Sequence, residues 1–220
     1  MNIMPIDDLA LLRLLQLADS ALPVGAAAHS FGLESLVEEG LLSAETLEPF
    51  LRGYLEENGP LDAYFGRAAH RLSPGAGDEW RNLNRRLSAR RAPRENRDAS
   101  LAMGRRLMRL AAGLLSDEAL PVEMDAHHVT AFGFVARLAG IGERSAILAW
   151  LHQSTAALIS AMQRLAPLGQ TRASEILWTL KPLMLAQAAV VSGAEPDCFT
   201  PLPEIAAMRH PKLPTRLFIS

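Results

Sequence analysis

Apolar residues recur at three- and four-residue steps through most of this chain, the period that lines one face of an α-helix. Leucine and alanine supply most of them, and β-branched residues are sparse. Helix is therefore expected nearly everywhere. Asp7 and Asp8 precede Leu9, Leu12, Leu15 and Leu17, placing acids where the free N–H groups of a helix start favour negative charge. That helix should end near Asp19. Residues 19–32, interrupted by Pro23 and Gly25, read as a turn-rich connector. Beyond it Leu33, Leu36 and Val37 share a face of a short helix stopped by Gly40. Ser43 is placed to cap a helix over 45–58, and Gly59 with Pro60 to separate it from another over 61–72. The Ser-Pro-Gly-Ala-Gly run at 73–77 is a loop leading into a helix from Asp78, and Pro93 ends that helix before a long one over 94–115. A loop ending at Pro121 follows. Further helices are predicted over 125–138, 143–165 and 170–191, the last kinked at Pro182.

From residue 194 the pattern changes. Pro196, Pro201, Pro203, Pro211 and Pro214 crowd a segment that ends in Leu217, Phe218 and Ile219, an apolar group that a solvated tail does not need and a docking segment does. The expectation is an all-α fold: a single-domain bundle of about ten helices over 1–193 with a proline-rich, partner-docking tail over 194–220.

Composition narrows the class. Half-apolar content over 220 residues suffices for a sizeable core. One cysteine, Cys198, excludes an internal disulfide framework and suits a reducing compartment, so a cytoplasmic location is expected. No window reaches the apolar length of a membrane span, and the first residues lack the pattern of an export signal. Charge is uneven. Residues 1–80 hold 13 acids against 4 bases, whereas residues 81–109 hold 10 arginines against Glu95 and Asp98. Arg81, Arg85, Arg86, Arg90 and Arg94 fall near helical steps and line a face that suits phosphates, which makes a nucleic-acid-binding helical protein the alternative reading. Aromatic interleaving is missing, however, and the acids of 34–57 are natural intramolecular partners for that face.

Candidate chemistry is thin. The histidines at 29, 70, 127, 128, 152 and 210 match no metal-helix spacing, and adjacent His127 and His128 point about 100° apart on a helix. Asp125 and His128 share a face at i, i+3 and form a weak metal-ligand pair, the alternative being an Asp125 helix cap beside an ordinary histidine. Cys198 has no second thiol near it. Asp19, Ser20, His29 and Ser30 contain the residue types of a hydrolase triad without the glycine-framed elbow. Neither glycine-rich phosphate loop occurs. No catalytic residue, metal site or cofactor is assigned.

The connector carries a resemblance. Leu14 to Gly25, reading L-L-Q-L-A-D-S-A-L-P-V-G, and Ala28 to Glu34, reading A-H-S-F-G-L-E, are similar to the N-terminal signature of the UreF family of urease accessory proteins. R-D-A-S-L-A-M-G at 97–104, H-H-V-T-A-F-G-F-V-A-R-L-A-G-I at 127–141, R-L-A-P-L-G-Q-T at 164–171 and the close M-R-H-P-K-L…R-L-F-I-S agree in order, so the likeness spans nearly the whole chain. Four positions depart from it. Ala26 and Ala27 stand where Gly-Phe is usual, His128 where tyrosine is common, Pro211 where an acid is usual, and Glu175 where a base often precedes the apolar Ile176.

The resemblance implies an all-helical, non-enzymatic chaperone that forms a homodimer and binds the UreH (UreD) scaffold. It further implies recruitment of the UreG GTPase, so that GTP hydrolysis is coupled to nickel insertion into apo-urease. Asp19, Ser20, His29, Ser30 and Glu34 are expected at a dimer or partner surface, the other reading being that Asp19 and Ser20 cap helices and His29 satisfies buried carbonyls. Gln170 joins the partner-contact set. His210, Arg216, Leu217 and Phe218 are expected to meet UreH.

Overall fold

The computed structural model describes residues 7–115, 125–190 and 194–220, and among them it is all helix and connector, with no strand. The all-α, single-domain expectation holds. In order the helices are α1 (Asp8–Leu17), α2 (Leu33–Glu38), α3 (Leu47–Arg71), α4 (Gly77–Arg90), α5 (Arg94–Leu114), α6 (His128–Leu138), α7 (Glu143–Leu165), α8 (Gln170–Thr179), α9 (Lys181–Ala189) and α10 (Pro201–Arg209). The loop expected to end at Pro121 and the helix end expected at Val191 lie outside the described residues.

α6 is the centre of the molecule. Its run from Val129 to Ala136 is buried on every side, as a helix with no polar face must be. α3 and α5 pack closely on it because two glycines let backbones meet. A Cβ on Gly133 would run into the main chain of Gly66 on α3, and one on Gly104 into Ala126 and His127 at the start of α6.

The start of α6 is capped from its neighbours. Asn84 Oδ1 on α4 accepts from the His127 N–H at 2.9 Å and from the Thr130 hydroxyl at 2.6 Å, and Ser100 Oγ on α5 accepts from the His128 N–H at 3.2 Å. The two main-chain bonds satisfy N–H donors that the first turn of a helix leaves open. Asp125, the expected cap, is turned outward to Arg105 at 3.3 Å instead.

Three further expectations are corrected. Gly59 and Pro60 do not divide two helices: α3 runs through them. Proline there removes one N–H and costs about 3 kcal/mol. Gly59 lacks the Cβ that would clash with the ring, and continuity keeps Leu51, Leu55, Leu61 and Phe65 in the core. Conversely, residues 170–191 are not one kinked helix. α8 and α9 meet at fully buried Leu180, and Pro182 occupies the first turn of α9, where its missing N–H has no partner to lose. Ser43 does not cap α3. That helix begins at Leu47, and the Thr46 hydroxyl accepts from the Ser43 N–H at 3.0 Å.

The arginines find acids other than those of 34–57. Arg86 meets Glu195 at 2.6 Å, Arg90 meets Asp197 at 2.5 Å, Arg91 meets Asp62 at 2.7 Å and Arg94 meets Asp98 at 3.2 Å. α4 lies beside α3 and under the segment after residue 194, so its charges pair locally. The proline-rich stretch is correspondingly no free tail. Pro201 and Pro203 open α10, Pro211 lies in a 3-10 turn, and the chain then folds back onto α2.

Candidate functional site

The connector after α1 is built from turns. Asp19 Oδ1 accepts from the Ala21 N–H at 2.8 Å, Gly25 takes φ +82°, and residues 26–28 make a 3-10 turn. Phe31 at φ +53° and Gly32 at φ +93° then reverse the chain into α2. The left-handed conformation is unfavourable at Phe31, so its surroundings must hold it there. A Cβ on Gly32 would strike the Pro203 carbonyl oxygen and lie 3.0 Å from the Ala207 nitrogen, so α10 packs directly on this turn.

Two arginines from distant helices hold the connector. Arg106 Nη1 on α5 donates to the Val24 carbonyl at 3.2 Å and fills the space beside Gly25. Arg164 Nη1 in the last turn of α7 donates to the Ala27 carbonyl at 2.7 Å. Burial, with Arg106 nearby, keeps the His29 imidazole below its ordinary pKa and so neutral.

The chain's last residues are seated in this connector. Glu34 is the hub. Its buried carboxylate accepts from His210 Nε2 at 2.7 Å, from the Leu217 N–H at 2.6 Å and from the Phe218 N–H at 3.2 Å. The Ser30 N–H and hydroxyl donate to the Ser220 main-chain oxygen at 2.5 and 3.1 Å, and the Ile219 N–H donates to the Ala28 carbonyl at 2.8 Å. His29 Nδ1 and the Ser220 hydroxyl are hydrogen-bonded at 2.8 Å. Phe218 and Ser220 point inward and are buried, whereas Leu217 and Ile219 point outward at 61% and 69% exposure. This period of two is that of an extended segment with one seated face. On α10, Leu202, Ile205 and Met208, at three-residue steps, are also exposed.

Of the residues singled out from sequence, the structure brings together His29, Ser30, Glu34, His210 and Phe218, with Leu217 contributing its N–H to the cluster and its side chain to the surface. Asp19, Ser20, Gln170 and Arg216 are exposed and outside the cluster. Sequence reasoning missed Arg106, Arg164 and Ser220. Arg164 stands at the head of one of the recognised blocks, but nothing in its spacing points to a connector 137 residues away.

The metal-ligand candidates do not converge. Asp125 faces Arg105, and His128 packs edge-on against Trp150 at 4.8 Å between ring centres. Burial lowers His127 and His128 to about 3, with Arg91 adding to both. Burial raises the Cys198 thiol to about 11. Among the described residues no group of three or more His, Cys, Asp or Glu is arranged to hold a metal ion, and no helix is long and apolar enough to cross a membrane.

The fold is that of an all-helical protein whose chain end is seated in its own connector, with Leu217 and Ile219 exposed. Comparison with known proteins then gives the family. The UreF family profile matches residues 41–181. A protein of Nostoc sp. described as "Urease accessory protein UreF" is 36% identical over 95% of both chains, one of Trichormus variabilis is 35% identical over the whole of both, and one of Geobacillus kaustophilus is 30% identical over 97% of this chain and 99% of its own. The chain belongs to the UreF family of urease accessory proteins, and is thus an accessory factor for urease and not an enzyme.

Proposed function

We propose that this chain is the scaffold of nickel delivery to urease. In this reading it works in the cytoplasm as a homodimer, with the body over 1–193 and the docking segment over 194–220. It binds UreH (UreD) through the docking segment and recruits the UreG GTPase, so that GTP hydrolysis drives nickel, the cargo, into apo-urease. The observation that carries the reading is the exposure of Leu202, Ile205, Met208, Leu217 and Ile219 on a segment whose Phe218 and Ser220 are already seated. Several exposed apolar side chains held on a seated segment are what a partner interface can use. The pairing of Arg81, Arg86, Arg90 and Arg94 with Asp78, Glu195, Asp197 and Asp98 weighs against the nucleic-acid reading, because it offsets four of the five arginines on that face.

Co-expression tests it. A tagged copy of this chain is expected to co-purify with UreH, and with UreG when UreH is present. Failure to retain UreH at low micromolar concentration would refute the reading.

A further inference from the structure

Arg164 touches both the connector and the chain end seated in it. Its Nη1 holds the Ala27 carbonyl at 2.7 Å, and its guanidinium carbon lies 4.3 Å from the centre of the Phe218 ring, over the face. Phe218 is only 5% exposed, although it belongs to the last three residues of the described chain and its neighbours on either side are mostly exposed. The guanidinium is therefore part of the cover over that ring. A planar cation is suited to this double task, because it donates in its plane while stacking on an aromatic face above it. Arg164 also lies in the last turn of α7, six residues before α8 begins, so the seat of the chain end is referenced to the helical body and not to the connector alone.

The seating fixes a direction. With Phe218 and Ser220 held inward, the Leu217 and Ile219 side chains can only face out. If the Phe218 ring leaves its place, the two-residue alternation loses its anchor and the outward pair loses its orientation.

We propose that Arg164 is a positioning residue for partner docking. By tying Ala27 and covering Phe218, it holds the 217–220 segment in the register that presents Leu217 and Ile219 as apolar anchors to UreH. The partner half of this statement rests on the function proposed above, whereas the positioning half does not.

The two halves are separated by measuring hydrogen exchange and UreH binding on the same full-length variants. In R164A, the amides of Leu217, Phe218 and Ile219 should exchange at least about tenfold faster, the expected yield of one charge-assisted hydrogen bond and one cation–π contact. Amides of α3 and α6 should be unchanged. R164K, which keeps a charge and a donor but not the planar stack, should fall between R164A and the unaltered chain. In L217A/I219A, exchange at Phe218 should stay as it was while UreH binding drops about tenfold or more. Unchanged exchange at 217–219 in R164A overturns the positioning role. So does a uniform rise across all helices, which would mark Arg164 as ordinary structural support. Faster exchange with undiminished UreH binding in both variants keeps the positioning role and removes the partner reading on which the rest depends.

Discussion

Replacing Glu34 by alanine is expected to unseat the end of the chain without unfolding the bundle. Glu34 and His210 are both buried, and among the described residues the carboxylate is the one acceptor for His210 Nε2 at 2.7 Å, the Leu217 N–H at 2.6 Å and the Phe218 N–H at 3.2 Å. Removing the carboxylate leaves these three donors without an acceptor, at a cost of about 1–3 kcal/mol each and so of at least about 3 kcal/mol together. The segment responds by opening, since solvated donors cost less than buried orphans, and a change of about 3 kcal/mol raises the open population more than about a hundredfold. Lys212 and Arg216 supply the assay, being tryptic sites inside the seated stretch. Under native conditions the cleavage rate follows the open population when reclosing is fast. Mass spectrometry should show E34A cut after Arg216 about a hundred times faster than the unaltered chain, with helical circular dichroism nearly unchanged. E34Q should lie between, because its amide still accepts two of the three bonds but turns a donor toward the third. Cleavage within about threefold of the unaltered rate would refute the claim that Glu34 holds the segment.

The packing and the buried histidines give two further expectations. G133A on α6 should lose about 3 kcal/mol and roughly 6–12 °C in Tm, because the new methyl meets the Gly66 backbone of α3, whereas G53A, on α3 with open space around it, should be neutral or up to about 1 kcal/mol stabilising; calorimetry of the pair distinguishes close packing from helix propensity. Burial holds His127 and His128 neutral down to about pH 3, while the same imidazoles in the unfolded chain take up protons near 6.5. The unfolded state therefore binds more protons between these values. The stabilising contribution is full above pH 6.5 and falls by about 1.4 kcal/mol per residue for each pH unit below it, so urea midpoints should drop steadily from pH 6.5 to 4 and by less in H128F.

Much of the architecture was legible from periodicity. The bounds of α1, α2, α5 and α7 follow from apolar spacing and from Gly40, Pro93 and Gly142, and each stands within a residue or two of where the pattern puts it. What the pattern could not show was decided by contacts distant in sequence. Pro60 looks like a breaker and is carried inside α3, because the faces before and after it pack on the same core. Pro182 looks like a kink and begins a new helix. The apolar close of the chain reads as a segment for docking on a partner; that its Phe218 is seated on this chain's own connector depends on Glu34 lying 176 residues before His210, a pairing no local rule supplies. The exposed row Leu9, Leu12 and Leu15 on α1 shows the same limit: the helical period was right, yet the core lies on the side of Ala10 and Leu17.

The most direct test is the affinity of UreH for the full chain and for the chain shortened to residues 1–205, measured by titration with helicity checked on both. The account predicts that the shortened chain keeps its helical spectrum and loses at least about a hundredfold in affinity, consistent with a cluster of apolar anchors carrying the interface. Equal affinity of the two chains would contradict it.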